Sequence, residues 1–144
     1  MEQKQLKKLY YDIELPLIQV LVDMEKIGMY CDVEVLQQLN ITVVNKLEQI
    51  QRTIIGIIDP IYSSINLNSP KQIKELLFDE LKLTPQHKSD KGAPSTDAQA
   101  LARLSKEHVI PGLILKYREL FKLKSTYVDA LPAYINSRTG NIHT

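Results

Sequence analysis

Apolar residues recur at three- and four-residue spacing along most of this chain, the mark of amphipathic helices. Leu6, Tyr10, Ile13, Leu17, Val20, Leu21 and Met24 trace one stripe and predict a helix over 5–27. Pro16 falls inside it and must kink or restart it, because proline lacks the N–H the helix ladder needs. Lys26-Ile27-Gly28 is a stop signal, a cation in the last turn followed by glycine. After a short extended piece at 29–31, Asp32 reads as the N-cap of a second helix, with Glu34 favourable near its positive end. Leu36, Leu39, Val43, Leu47, Ile50, Ile54 and Ile57 carry that helix to 58, about 26 residues or roughly 39 Å. So long a helix in 144 residues describes an arm more than a ball.

A loop over 61–67 leads to Asn66-Leu67-Asn68-Ser69-Pro70-Lys71-Gln72. Here Ser69 predicts a cap, Pro70 takes the first helical position and Gln72 completes a capping box. The helix it starts, to about 81, should bury Ile73, Leu76, Leu77 and Leu81. The polar stretch 83–94 reads as a mobile loop. Ser95-Thr96-Asp97-Ala98-Gln99 repeats the capping logic with Thr96 and Gln99 as the box, and predicts a short helix to about 107 burying Ala98, Leu101 and Leu104. Pro111 opens the last main helix, which runs to about 130 through Leu113, Leu115, Tyr117, Leu120, Phe121, Tyr127 and Val128. Pro132 interrupts it. A turn over 136–141 precedes a strand start at 142–144 that finds no partner elsewhere in the sequence. A lone strand is not stable by itself, so the chain reads as part of something larger.

Composition narrows the classes. Apolar residues make up 44% of the chain, which excludes disorder, and the absence of Trp with two Phe and five Gly argues against a β-sandwich. Eighteen basic residues nearly cancel seventeen acidic ones, so any affinity for nucleic acid must come from local clusters. Cys31 is alone, which excludes an internal disulfide, fits a reducing compartment and reads as a small buried hydrophobe. His87, His108 and His143 lack metal-ligand spacing. No apolar run approaches the ~20 residues that span a bilayer, so a soluble, cytoplasmic, membrane-free chain is expected. There is no glycine-rich phosphate loop, no Ser-His-Asp or Cys-His arrangement and no carboxylate pair at a strand end. Binding without catalysis, and without a cofactor of its own, is therefore the expectation for this chain.

Two patterns could do the binding. On the last main helix Arg118, Lys122 and Ser125 fall at i, i+4 and i+7 and share a face that could span successive phosphates. Both short helices begin with hydroxyls near lysines (Lys71, Lys88, Lys91), and the first start offers backbone N–H groups beside Asn68, Ser69 and Lys71 to an anion. Each pattern has a plainer reading, as a solvated face or a capped helix end. Two kinds of module follow, a nucleic-acid clamp or a non-catalytic helical surface for another protein. The clamp weakens with salt and on loss of Lys122; the protein surface depends on apolar residues.

Several motifs, in order, resemble the family A DNA polymerases. They are Ile13-Glu14-Leu15-Pro16-Leu17, Val20-Leu21, Met24-Glu25 and Gly28, then 66–72 with Leu77-Phe78. Gly92-Ala93-Pro94-Ser95-Thr96, Tyr117-Arg118-Glu119-Leu120, Lys122-Leu123-Lys124-Ser125-Thr126-Tyr127, and Thr139-Gly140 with Ile142-His143-Thr144 continue the series. The resemblance covers nearly the whole chain from about Leu9. It implies a mainly all-α, elongated thumb: an antiparallel pair of long helices (33–58 and 111–128) with two short tip helices, a flanking N-terminal helix and a C-terminal strand stub. By the same resemblance, 1–30 is a helix at the thumb base, 31–130 the thumb with its tip at about 60–108, and 131–144 the start of the palm. The parent would then be a DNA-directed DNA polymerase acting in replication and repair, its magnesium held in the palm. Duplex primer–template DNA and the palm would be this chain's partners, and its uncovered apolar faces could self-associate. Asn66, Asn68, Ser69 and Lys71 are implied to meet DNA backbone at the tip, Lys88, Ser95 and Thr96 to form the tip's other side, and Arg118 and Lys122 to touch phosphates from the stalk. The family usually has Arg after Thr139-Gly140. This chain has Asn141, to which no contact is carried over.

Overall fold

The computed structural model describes residues 2–58, 60–85 and 94–143. It is mainly helical, with a two-stranded antiparallel sheet. Helix α1 (Glu2–Leu9) runs through a π-helical turn (Tyr10–Glu14) into α2 (Leu15–Ile27). The turn explains how Pro16 is housed. Leu15 N–H bonds Tyr10 O, five residues back, so the ladder widens by one residue just where a prolyl ring would crowd the preceding turn. The helix neither breaks nor restarts; it bulges.

Gly28 ends α2 at φ +69°, donating its N–H to Met24 O at 2.8 Å. Strand β1 (Met29–Tyr30) follows, and it is the partner that the C-terminal strand lacked in the sequence. Strand β2 (Asn141–Ile142) pairs with it antiparallel, Met29 opposite Ile142 and Tyr30 opposite Asn141, while Ile135 bridges Ile142 from the other side. The expectation of an unpaired strand fails because a piece as short as 29–31 has no periodicity to betray it.

Helix α3 (Val33–Ile55) is capped as expected, the Asp32 carboxylate accepting from Glu34 N–H at 3.0 Å and Val35 N–H at 3.1 Å. It ends at Gly56, two residues before the predicted stop. Pro60–Tyr62 forms a 3-10 turn, then α4 (Pro70–Lys74) widens into a second π turn (Glu75–Glu80). Helix α5 (Ala98–Leu104) buries Ala100, Leu101 and Leu104 but leaves Ala98 exposed, one phase away from the expected stripe. Helix α6 (Val109–Leu123) begins before Pro111, capped by His108 Nδ1, which accepts from Ile110 N–H at 3.2 Å. A third π turn (Lys124–Val128) and a 3-10 turn (Leu131–Tyr134) complete the helical part.

Helices α3 and α6 run antiparallel. The start of α3 (Val33, Leu36, Asn40) lines a cleft with Val128 and Pro132, whereas Ile54 near its end shares a cluster with Ile110 and Ile114 at the start of α6. That cluster is the main core: Ile54, Ile58, Ile65, Leu67, Ile73, Leu76, Leu77, Leu101, Leu104, Ile110 and Ile114. It sits at one end of the pair, where α4 and α5 close over it. At about 25 cal/mol per Å² of apolar surface removed from water, such a cluster dominates the stability of this end.

Candidate nucleic-acid interface

The tip surface is built by two loops that enter the short helices. In the first, Asn66 Oδ1 accepts from Asn68 N–H at 2.9 Å and Ser69 Oγ accepts from Gln72 N–H at 3.4 Å. The capping box expected here closes differently. Gln72 Oε1 reaches past Ser69 and accepts from Asn66 N–H at 2.6 Å, while Ser69 N–H bonds Asn66 O at 2.9 Å. The side chain thus pins the loop one turn further back, with Ile65 and Leu67 buried beneath it. Lys71 and Asn66 stay exposed; Asn68 and Ser69 are half-buried.

The second loop also differs from expectation. Asp97, not Thr96, caps α5: its Oδ1 accepts from Ala100 N–H at 2.8 Å, and its Oδ2 accepts from the Ser95 hydroxyl at 2.9 Å. Asp is the stronger capping residue, and its place directly before Ala98 was the available signal. Ser95 and Thr96 are both buried, so they shape this loop from within. Lys88 lies outside the described residues.

On α6 the three predicted face-mates part company. Lys122 and Ser125 are exposed, and the Lys122 ammonium makes no ion pair among the described residues. Arg118 turns inward. Its Nε donates to Leu67 O at 3.0 Å and its Nη1 to Thr96 O at 2.7 Å, one carbonyl from each tip loop. Its Nη2 is buried with no partner among the described residues. Burial draws the guanidinium pKa below its ordinary value by desolvation, though an arginine stays charged. A signal for this orientation existed: Ile110, Ile114 and Arg118 are spaced by four, so Arg118 continues a fully buried stripe. Lys124, on another side, is held by Asp129 with oxygens at 2.7 and 2.9 Å from its ammonium.

At the other end, Asn141 Nδ2 donates to Ile27 O at 2.8 Å, and His143 Nδ1 lies 2.8 Å from Glu25 O. A carbonyl can only accept, so Nδ1 is the donor there, and Nε2 lies 3.0 Å from the Thr139 hydroxyl. Asn141 is therefore a brace between β2 and the end of α2. The described residues hold no group of three His, Cys, Asp or Glu side chains able to bind a metal ion, and no helix long and apolar enough to cross a membrane.

A long antiparallel helix pair, closed at one end by two short helices and carrying exposed lysines there, is an arm-like helical module. The chain belongs to DNA polymerase family A, whose sequence model matches residues 33–144. It is similar to the thermostable DNA polymerase I of Thermus filiformis, 42% identical over 137 residues that make up 94% of this chain and 16% of that protein. DNA polymerase I of Borreliella burgdorferi is 39% identical over 144 residues, 100% of this chain and 15% of the relative. Among solved structures, the POL domain of Pol1 from M. smegmatis, in complex with DNA primer-template and dNTP, superimposes with a TM-score of 0.81 at 34% identity. The match covers 95% of this chain and 24% of that one. The chain thus spans about a sixth of the length of the curated relatives it matches.

Proposed function

We propose that this chain is the thumb of a DNA-directed DNA polymerase and grips duplex primer–template DNA without reading its sequence. In this reading 1–30 is a helix at the thumb base, 31–130 the thumb itself and 131–144 the approach to the palm. The observation that carries it is the likeness, over nearly the whole chain, to a polymerase domain solved with primer–template DNA. The side chains agree with the chemistry required. Asn66, Asn68, Ser69, Lys71 and Lys122 present polar or cationic groups to a backbone, while Ser95, Thr96 and Arg118 shape the loops behind them; Lys88 is assigned to the same surface from the sequence alone. Phosphate contacts of this sort fix position and carry no sequence information, which suits an enzyme that must copy any template. Catalysis and its magnesium belong to the palm, which the apolar side of α2 is suited to meet. In this reading the whole protein works in the cytoplasm.

A titration of fluorescent duplex primer–template at several salt concentrations tests this reading. Binding should weaken steeply with salt, and Lys122→Ala should lower the slope of log K against log salt by about 0.9, the share of one phosphate contact. Binding that ignores both salt and the substitution would refute the clamp and favour a protein-docking surface.

A further inference from the structure

Unlike Lys122, Arg118 turns its side chain toward the two tip loops, and its contacts assign it a different task. Its two bonded nitrogens reach Leu67 O, 51 residues away in sequence, and Thr96 O, 22 residues away. Those carbonyls lie one residue before Asn68 and one residue before Asp97, at the roots of the two loops that enter α4 and α5. No other side-chain hydrogen bond between described residues joins either loop to α6. The guanidinium is half-buried, so water competes less well for the two bonds. We infer that Arg118 is a positioning residue: it sets the spacing of the two tip loops against the stalk helix, and it supports DNA binding through them and not as a phosphate contact of its own.

The inference rests on the DNA-gripping reading and sharpens one residue within it. Its chemistry follows from shape. A guanidinium is a rigid fork whose Nε and Nη1 can serve two carbonyls at once, whereas a lysine ammonium is a single point of charge on a flexible stem. A single-point phosphate contact tolerates that exchange. A two-loop tie does not.

The test compares Arg118→Lys with Lys122→Ala in this chain. Arg118→Lys keeps the charge, yet affinity for duplex primer–template should fall about tenfold, the scale of one lost charge-assisted hydrogen bond. The slope of log K against log salt should stay unchanged. Without DNA, amide hydrogen exchange at Asn68 and at Ala98 should quicken in Arg118→Lys and stay as in the native chain in Lys122→Ala. Arg118→Lys binding like the native chain, or losing salt dependence as Lys122→Ala does, overturns the inference. A measurement on the unsubstituted chain guards against a variant that fails to fold. The Arg118 Nε–H resonance should be slow to exchange and should hold its position as DNA is added; displacement of that resonance on saturation overturns the inference as well. Salt-independent DNA binding throughout, with the exchange results as expected, would remove the DNA reading and leave the tie standing.

Discussion

The two ends of this molecule use the same sequence pattern and reach opposite outcomes. At the tip, stripes from α3, α4, α5 and α6 meet, and Ile54, Ile73, Leu76, Leu77, Leu101, Leu104, Ile110 and Ile114 are all at 0% exposure. At the base, α2 carries an equally regular stripe and buries nothing: Leu17 is 42% and Met24 63% exposed. What holds the base is polar and joins the two ends of the sequence, namely the β1–β2 pairing, Asn141 on Ile27 O and His143 on Glu25 O. Periodicity tells which side of a helix is apolar. It does not tell what covers that side.

The largest effect should come from the tip. Leu104→Ala removes a fully buried side chain, and about 2–5 kcal/mol of stability should go with it. Leu17→Ala, chemically the same change on the open face of α2, should stay within about 0.5 kcal/mol. Urea unfolding of the two variants decides the matter, and equal losses would break the contrast between the ends. The next effect belongs to the base. Gly28 sits at φ +69°, and a Cβ there would stand 2.7 Å from Ile142 O and 2.8 Å from two atoms of the His143 ring. Gly28→Ala should therefore cost about 1–3 kcal/mol of strain. It should speed amide exchange at Met29 and Ile142 while the amides of α5 keep their protection. The smallest effect is a gain. Lys82 holds φ +52° just past the π turn that ends at Glu80, where Leu83 N–H returns to Leu77 O at 3.0 Å. Lys82→Gly relieves that left-handed strain and should raise tip stability by about 0.5 kcal/mol in the same urea assay, whereas a loss would mean the lysine stem packs usefully.

The long helices were legible because their stripes run for many turns and their caps are strong. Asp32 before α3 and Gly28 after α2 do in the structure what their residue types predict. Three kinds of feature escaped. The extended piece at 29–31 and the strand start at 142–144 were legible, but their pairing was not, because two-residue strands carry no period. The cap of α5 was misplaced by one residue, which also misphased Ala98, because Thr96 and Asp97 both suit the position and the stronger one won. Arg118 was grouped with Lys122 by spacing and charge. The competing rule, that it extends the buried line of Ile110 and Ile114, proved decisive. The candidate surface thus divides by burial into groups that face outward and groups that hold them, a division that residue type cannot make.

The π turns bear on how the chain tolerates changes of length. Each stores one residue more than a regular helix needs; Tyr10–Glu14 lies between two helices, whereas Glu75–Glu80 and Lys124–Val128 close the helices they extend. A one-residue deletion within Lys124–Val128 can be absorbed by returning the turn to ordinary winding, with Ile114 and Val128 still facing inward. The same deletion in the middle of α3 has no such slack and turns every later side chain by about 100°. Deletion within Tyr10–Glu14 is different again, for it would bring the Pro16 ring back against the turn before it. Of three similar bulges, one is spare length, and one is the space a proline requires.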